Sequence, residues 1–339
     1  MRNSLKLRLW CFGRWFKLFL LVVVTFTLTC ACNGKFSQPS SNSPSPIALE
    51  CRTVKHSMGE SCVPITPQRV VVLDDTVLAN AIALGIHPVG SVASNTTSGL
   101  EIPIFLQGKI DFEKIQSIGT QEQPSLEKIM LVKPDLILGF DYFVNYNQLS
   151  QIAPTVLIKW DEAGAWKKHL MLFAEALNKT QAAEKLLADY NQRIQEFKTA
   201  IGSQLEHFQV SLAYLAGDGS ALVRSDVKNS FAGSIVEDAG LSRPPAQDIV
   251  GKDYYQIDLS AEMIHLMDGD ALFLFSSGNK EANRILKQLQ NSPLWKQLKV
   301  VQQNRTHIVD HSTWRSRNIL AANGVIDDLF KYLIEQEKF

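Results

Sequence analysis

The stretch TQAAEKLLADYNQRIQEFKTAI, Thr180–Ile201, lies near the middle of the chain and contains neither glycine nor proline. Its apolar residues recur every three or four positions, which places them on one face of a helix, whereas the opposite face is polar. These apolar positions are Ala183, Leu186, Leu187, Tyr190, Ile194, Phe197 and Ile201. At a rise of about 1.5 Å per residue, the helix is roughly 30 Å long. The stretch therefore predicts one long amphipathic helix, ended by Gly202, that does not span a membrane.

Short runs of β-branched and aliphatic residues flank this helix on both sides, separated by helical segments and loops. Before the helix, the predicted strands cover residues 69–73, 88–92, 117–119, 134–138 and 155–158, and the predicted helices cover residues 79–84 and 126–132. After it, the predicted strands cover residues 210–215, 221–224, 271–275 and 306–309, and the predicted helices cover residues 230–239, 262–267, 282–290, 294–297 and 321–336. Strands that alternate with helices at this spacing indicate parallel α/β sheets.

We therefore predict an α/β protein with two Rossmann-like lobes joined by a single long α-helix. The predicted boundaries are residues 51–176 for the first lobe, 177–203 for the connecting helix and 204–339 for the second lobe. A single packed helix resists wide rotation of the lobes, so we expect a cleft between them that closes only slightly.

The first 50 residues have the composition of a targeting segment. Five basic residues precede an apolar run at residues 18–28, which is too short to span a bilayer and has the length of a signal-peptide core. We predict a signal peptide at residues 1–31, lipidation of Cys32, and a flexible tether at residues 32–50 that is rich in Ser, Pro and Asn. Cleavage before Cys30, and ordinary cleavage without a lipid, are the alternatives. The prediction makes the protein exported and periplasmic, anchored to the cell membrane by its N-terminal lipid.

Of the five cysteines, only Cys51 and Cys62 lie beyond the predicted targeting segment and tether. Outside the cytoplasm, two cysteines at hairpin distance are best interpreted as a disulfide. A two-cysteine metal site is the alternative, but His56 alone does not complete its set of ligands.

Six segments of the chain resemble those of iron-siderophore binding proteins, and they occur in the same order. They are residues 52–60 (RTVKHSMGE), 67–73 (PQRVVVL), 84–90 (LGIHPVG), 124–127 (PSLE), 133–137 (KPDLI) and 268–273 (DGDALF). The family is the helical-backbone class of binding proteins for ferric citrate, ferric hydroxamates and vitamin B12, and the resemblance covers nearly all of the chain from Cys51 onward.

The resemblance implies a binding protein, not an enzyme, that holds no cofactor and captures a ferric siderophore or ferric citrate between rigid lobes as its transported ligand. It also implies an ABC permease of the inner membrane as the partner. We expect a monomer, because docking on a permease needs the faces of both lobes to be free.

Two acidic residues are candidates for contact with the permease. In the resembled family, the acidic residue at the position of Glu127 lies on the lobe surface and pairs with permease arginines. The alternative is that Glu127 only complements the N-terminal end of a helix dipole. The resemblance places a second such residue on the helix that ends near Gly240, where Glu237 is the available acid and Ser234 is the alternative position.

Arginine and aromatic side chains that follow the predicted strands are candidates for contact with the ligand. A ferric chelate is compact, often anionic and apolar at its rim, and open α/β sheets bind ligands at the carboxyl ends of their strands. We predict ligand contacts from Arg224, Trp314, Arg315, Arg317, Trp160, Tyr255 and Asp75. The alternatives are surface ion pairs for the arginines, the core for the tryptophans and a helix cap for Asp75.

Two other ligand classes and an enzyme are alternatives to the ferric chelate. A bare metal ion needs several converging ligands, but the seven histidines are scattered along the sequence, and cobalamin needs a wider and less charged cleft. For an enzyme, residues 217–220 (GDGS) lack the spacing of a phosphate or nucleophile loop, and a hairpin turn explains them better. The formal net charge of +0 gives no reason to expect a nucleic-acid partner.

Overall fold

The computed structural model describes residues 50–92, 103–160, 163–215, 222–251 and 256–335. The predicted signal peptide, Cys32 and nearly all of the tether lie outside these residues, as do Tyr255 and the turn at residues 217–220. In the described ranges, none of the helices combines the length and the apolar character that crossing a membrane requires.

The described chain begins with an antiparallel hairpin of two strands, β1 (Cys51–His56) and β2 (Gly59–Pro64). A disulfide joins Cys51 to Cys62 across the hairpin, which confirms the predicted pairing. The hairpin packs on the strand at Thr155–Ile158, where the Ser61 hydroxyl donates to the Thr155 carbonyl over 2.8 Å. The disulfide therefore joins the two strands of the hairpin, and the contact with Thr155 attaches the hairpin to the first lobe.

Five parallel strands form the sheet of the first lobe. They are β3 (Val70–Val72), β4 (Gly90–Ser91), β5 (Gln116–Ser117), β6 (Leu136–Phe140) and β7 (Thr155–Ile158). Their spatial order is β5-β4-β3-β6-β7. The chain therefore adds strands first on one side of β3 and then on its other side. Each predicted strand of this lobe is present, but β6 continues to Phe140, two residues beyond the prediction.

The helices of the first lobe are α1 (Asp75–Ala83), α2 (Leu126–Leu131), α3 (Tyr146–Leu149) and α4 (Trp166–Leu177). Side chains at the N-cap begin three of them. Asp74 accepts from the Thr76 N–H over 2.7 Å, and Ser125 and Asn145 cap the next two helices. The cap at Asp74 starts α1 four residues before the predicted helix.

The long helix, α5, spans Thr180–Ile201, as the sequence predicts. Its buried side chains include Tyr190 and Phe197, and its polar face is exposed. The Tyr190 hydroxyl donates to Asp238 over 2.7 Å, and Arg193 bonds to Asn323 over 2.8 Å. Both partners belong to the second lobe, so the helix that follows the first lobe in sequence is fixed to the second by side-chain contacts.

The sheet of the second lobe is mixed. Its strands are β8 (Val210–Leu215), β9 (Val223–Asp226), β10 (Gln256–Leu259), β11 (Ala271–Ser276) and β12 (Thr306–Asp310), in the spatial order β10-β9-β8-β11-β12. Strands β8, β11 and β12 are parallel, whereas β9 is antiparallel to both of its neighbours. The antiparallel pairing of β8 with β9 agrees with the hairpin predicted there.

The helices of the second lobe are α6 (Phe231–Asp238), α7 (Lys280–Asn291), α8 (Pro293–Lys296), α9 (Lys299–Gln302), α10 (His311–Arg315) and α11 (Ile319–Phe330). The segment predicted as a helix near residue 262 is a 3₁₀ helix, Ala261–Met267. A π-helical turn, Lys331–Glu335, follows α11 and takes up the last part of the predicted C-terminal helix, most of which is α11.

One continuous apolar core connects the two sheets. It contains Phe140 and Phe173 from the first lobe, Tyr190 and Phe197 from α5, and Phe273 from the second lobe. Buried aromatic rings of this size bury a large apolar area, so this core resists separation of the lobes. The predicted lobe boundaries at residues 176 and 203 stay a prediction, since the chain from Glu50 onward forms a single compact unit.

Candidate functional site

The carboxyl ends of the strands of both sheets carry aromatic and charged side chains. In the first lobe, Tyr142 and Phe143 follow β6, and Trp160 follows β7. In the second lobe, Tyr214 lies near the end of β8, and Arg315 ends α10, which begins directly after β12. Parallel strands place such residues at one edge of each sheet, which is where open α/β sheets bind ligands.

The first-lobe wall is a cluster of three aromatic residues, Tyr142, Phe143 and Trp160. The Tyr142 ring lies edge-on to Trp160 at 4.7 Å and to Phe143 at 5.1 Å between ring centroids. Phe143 is 66% exposed, although it is a large apolar side chain. Trp160 is partly buried and also contacts the core ring of Phe140 at 4.8 Å. The wall thus offers apolar surface to a ligand while its base is fixed in the core.

A buried carboxylate supports this wall from below. Asp74, which is 2% exposed, accepts hydrogen bonds from Gln121 over 2.6 Å and from the Tyr142 hydroxyl. Burial raises the pKa of Asp74, while the hydrogen bonds from Tyr142 and Thr76 oppose that rise. Burial and the neighbouring charge of Asp74 raise the pKa of Asp75 to about 7. Asp74 accepts more hydrogen bonds than Asp75, and these bonds stabilise its ionised form. Asp75 is therefore the member of the pair that holds a proton near neutral pH.

The second-lobe wall is formed by two arginines around Tyr214. The Arg315 guanidinium lies 4.3 Å from the centroid of the Tyr214 ring, and that of Arg224 lies 5.9 Å from it. Each arginine also faces a carboxylate, Arg224 with Asp258 at 2.7 Å and Arg315 with Asp226 at 3.2 Å. The ring and the carboxylates fix both guanidinium groups next to Tyr214, and guanidinium groups are suited to the recognition of anions.

His311 lies beside this wall, with its ring 5.9 Å from that of Tyr214. Burial and the charge of Arg315 lower the pKa of His311 to about 4. The imidazole is therefore neutral at physiological pH, and the positive charge of the wall comes from its arginines.

Arg224 lies next to Tyr214 for a different reason from the one that the sequence predicts. The sequence places it at the end of a strand, but β9 continues to Asp226. Because β9 runs antiparallel to β8, Arg224 lies directly opposite Tyr214 in the register. Its position at the ligand edge is thus due to the strand pairing.

Two residues predicted to contact the ligand are buried in this structure, Trp314 and Arg317. Trp314 is completely buried, with its ring stacked on Phe273 at 4.7 Å and its indole N–H donating to Asp328 over 2.7 Å. It is a core residue and cannot form part of a wall. Arg317 is 5% exposed and lies against Trp160 of the other lobe, with 3.9 Å between the guanidinium carbon and the ring centroid. Protein covers nearly all of its surface, and its charge also acts on Asp226, the carboxylate that pairs with Arg315.

The other residues predicted to contact the ligand lie at the ligand edge, outside the described residues or at the start of α1. Arg224, Arg315 and Trp160 lie at the ligand edge, where their contact with ligand stays a prediction, and Tyr255 lies outside the described residues. Asp75 is partly exposed at the start of α1, beside the carboxylate that caps the helix.

The two residues predicted to contact the permease lie on the surface of separate lobes. Glu127 is exposed in the first turn of α2, and the structure shows no ion pair to it among the described residues. Glu237 is exposed on α6, where it pairs with Lys228 at 3.2 Å. The alternative position, Ser234, is partly buried and accepts from the Trp166 indole over 3.2 Å, so it is less available to a partner.

Sequence reasoning missed Tyr142, Phe143, Gln121 and Tyr214. The first two escaped because the predicted strand stopped at residue 138, whereas β6 ends at Phe140 and its loop begins with these aromatics. An aromatic pair directly after a buried strand is the signal that could have found them. Nothing in the sequence near Gln121 pointed to its hydrogen bond with Asp74.

In the described part of the chain, no group of three or more His, Cys, Asp or Glu side chains could hold a metal ion. The bare-ion alternative therefore has no preformed ligand set in these residues.

Comparison with known proteins gives concordant results. A family model described as periplasmic binding protein matches residues 70–312. The chain is 35% identical to the probable siderophore-binding lipoprotein YfiY of Bacillus subtilis, over 94% of this chain and 97% of that protein. It is 30% identical to the Fe(3+)-citrate-binding protein YfmC of the same organism, over 92% and 96% of the two chains.

Solved structures show the same fold. SirA of Staphylococcus aureus, in a crystal structure with staphyloferrin B, is 26% identical with a TM-score of 0.66, over 83% of this chain and 98% of that one. The Bacillus subtilis protein FeuA, crystallised with ferri-bacillibactin, has a TM-score of 0.68 at 23% identity, over 84% and 98% of the chains, and supports the fold alone.

Proposed function

The chain belongs to the periplasmic binding protein family, and on that premise we propose that it captures a ferric siderophore or ferric citrate in its cleft and delivers it to an ABC permease. The family consists of binding proteins, not enzymes. Relatives include a siderophore-binding lipoprotein, a ferric-citrate-binding protein and a putative ABC transporter substrate-binding lipoprotein.

The observation that carries the proposal is the pair of unlike walls at the ligand edges of the two sheets. The aromatic wall of the first lobe suits the apolar rim of a chelate, and the arginines of the second lobe suit its oxygens. The contact between Arg317 of the second lobe and Trp160 of the first supports the proposal, because it brings residues that follow strands of both sheets together. Arg224, Arg315, Trp160 and Tyr142 are the ligand contacts in this proposal.

Binding is tested by fluorescence titration of the purified full chain with ferric citrate, a ferric trihydroxamate, cobalamin and bare Zn²⁺. We expect saturable quenching by at least one ferric chelate, since Trp160 lies at the cleft, and none by iron-free citrate. Quenching by Zn²⁺ or cobalamin alone contradicts the proposal and favours the corresponding alternative.

The arginine wall is tested by replacing Arg315 with alanine. A charge-assisted hydrogen bond contributes about 1.5–3 kcal/mol, so the dissociation constant of an anionic chelate should rise by about 10- to 100-fold. Arg284→Ala is the matched control, because Arg284 is an exposed arginine on α7 that pairs with Glu281 at 2.6 Å. Equal effects of the two substitutions contradict a direct role for Arg315.

Delivery and location complete the proposal. Glu127 and Glu237 contact the permease, one on each lobe. When Glu237 contacts the permease, it gives up its ion pair to Lys228. The mature protein is an exported monomer, anchored to the membrane by a lipid on Cys32. Metabolic labelling with a fatty acid tests the anchor, since Cys32→Ser should abolish incorporation and Cys30→Ser should not.

A further inference from the structure

Arg317 is buried at the junction of the two lobes, in the short segment between α10 and α11. Its guanidinium carbon lies 3.9 Å from the centroid of the Trp160 ring. A cation this close to an aromatic face is attracted by the ring, and the attraction strengthens where water is excluded. At 5% exposure, Arg317 is in such an environment.

The backbone of Arg317 is held in an unusual conformation. Its φ of 51° lies in the left-handed region, which is unfavourable for a residue with a side chain. Hydrogen bonds on either side maintain it. The Ser316 carbonyl accepts from the Thr76 hydroxyl of the first lobe over 2.9 Å, and Asn318 caps α11 by accepting from Ala321 N–H over 2.9 Å. The segment that carries Arg317 is therefore attached directly to the first lobe.

The Trp160 ring has packing partners in its own lobe as well. Phe140 lies edge-on at 4.8 Å and Tyr142 at 4.7 Å between ring centroids. The backbone N–H of Trp160 donates to the Asp141 carboxylate over 3.0 Å. These contacts fix the backbone and two sides of the ring. Arg317, which reaches across from the second lobe, lies against the ring itself.

We infer that Arg317 is a positioning residue, which holds the Trp160 ring in the orientation that lines the cleft. The arginine does not contact the ligand, because protein covers it. This inference rests on the proposed function, since the importance of the orientation of Trp160 depends on a ligand in the cleft. It also couples the aromatic wall of the first lobe to the position of the second lobe.

The test is a double-mutant cycle on the purified full chain with Arg317→Met, Trp160→Phe and the double variant. Methionine keeps length and apolar volume but removes the charge, and phenylalanine keeps an aromatic ring with a weaker attraction for a cation. Arg317→Lys keeps the charge without the planar guanidinium, and Arg284→Met is the control for loss of an exposed arginine. Circular dichroism selects the variants that fold.

The first measurement needs no ligand. The difference in acrylamide quenching between each chain and its Trp160→Phe counterpart isolates the accessibility of Trp160. Arg317→Met should raise this difference, Arg317→Lys should raise it less, and Arg284→Met should leave it unchanged. An unchanged accessibility of Trp160 in folded Arg317→Met overturns the inference, whatever the chain binds.

The second measurement uses whichever of ferric citrate and the ferric trihydroxamate the unmodified chain binds. Arg317→Met should weaken binding by about tenfold, and by much less when Trp160 is already phenylalanine, because the two residues act through one contact. Equal losses in both backgrounds overturn the inference and leave the proposed function standing. If the unmodified chain binds neither chelate, the proposed function fails, and the quenching measurement alone decides the role of Arg317.

Discussion

Replacing Asp75 with asparagine is expected to stabilise the protein above neutral pH and to have no effect on its stability near pH 4. Burial and the charge of Asp74 raise the pKa of Asp75 from 3.8 to about 7. In the window between these values, the folded protein binds more protons than the unfolded chain, so the free energy of unfolding falls as the pH rises. Asparagine carries no charge at any pH, so its advantage over aspartate is absent below the window and complete above it.

The size of the effect follows from the shift. A rise from 3.8 to about 7 is about 3 pKa units, and at about 1.4 kcal/mol per unit the ceiling is about 4 kcal/mol. Two features reduce it. Asp75 is partly exposed, and at the first position of α1 its charge is favoured by the helix dipole. We expect about 2 kcal/mol at pH 8, which is a rise in Tm of about 5 °C for a chain of this size.

Urea unfolding followed by tryptophan fluorescence at pH 5, 6, 7 and 8 measures this effect. The control is Asp111→Asn, because Asp111 is an exposed acid whose pKa is lowered, chiefly by a hydrogen bond from Lys114. Its replacement should not stabilise the protein at pH 8. If Asp75→Asn is as stable as the unmodified chain at pH 8, or if both lose stability equally between pH 5 and pH 8, folding does not raise the pKa of Asp75.

Three further predictions concern docking, the long helix and the hairpin. Glu127→Gln should leave the chelate affinity of the purified protein unchanged but slow ferric iron uptake by cells that depend on this protein; weakened binding contradicts the docking role. Tyr190→Phe, which removes the hydrogen bond to Asp238, should lower the free energy of urea unfolding by about 1.5 kcal/mol without changing chelate affinity. Replacing Cys51 and Cys62 with serine should lower the free energy of unfolding by about 2–3 kcal/mol, since the loop that the disulfide closes is short. For Tyr190→Phe and for the cysteine variant alike, an unchanged urea midpoint contradicts the prediction.

The long helix and most strands could be predicted because their signals are local and uninterrupted. A stripe of apolar residues over Thr180–Ile201 has no competing interpretation, and glycine follows it directly. Strand ends carry weaker signals, since whether the chain turns at residue 138 or 140 depends on pairing with a neighbouring strand. The two-residue difference in β6 hid Tyr142 and Phe143, which form much of the aromatic wall.

The direction of a side chain was harder to predict than the position of its backbone. Trp314 and Arg315 are adjacent in α10, and a helix rotates by about 100° per residue, so the Trp314 ring lies in the core while the Arg315 side chain lies against Tyr214. Arg317 itself adopts a left-handed conformation that the sequence does not signal, since glycine is the residue favoured there. Sequence placed all three near the ligand edge, and only packing separated them.

The rigidity expected of the cleft has a broader basis than the long helix. The lobes also share the apolar core that runs from Phe140 to Phe273. Between the lobes, the Thr76 hydroxyl donates to the Ser316 carbonyl, and Arg317, the next residue, packs on Trp160. Rotation of one lobe against the other would break these contacts and open the core, so the junction resists it. Phe143, which is 66% exposed, is the part of the aromatic wall that can move without disturbing this junction.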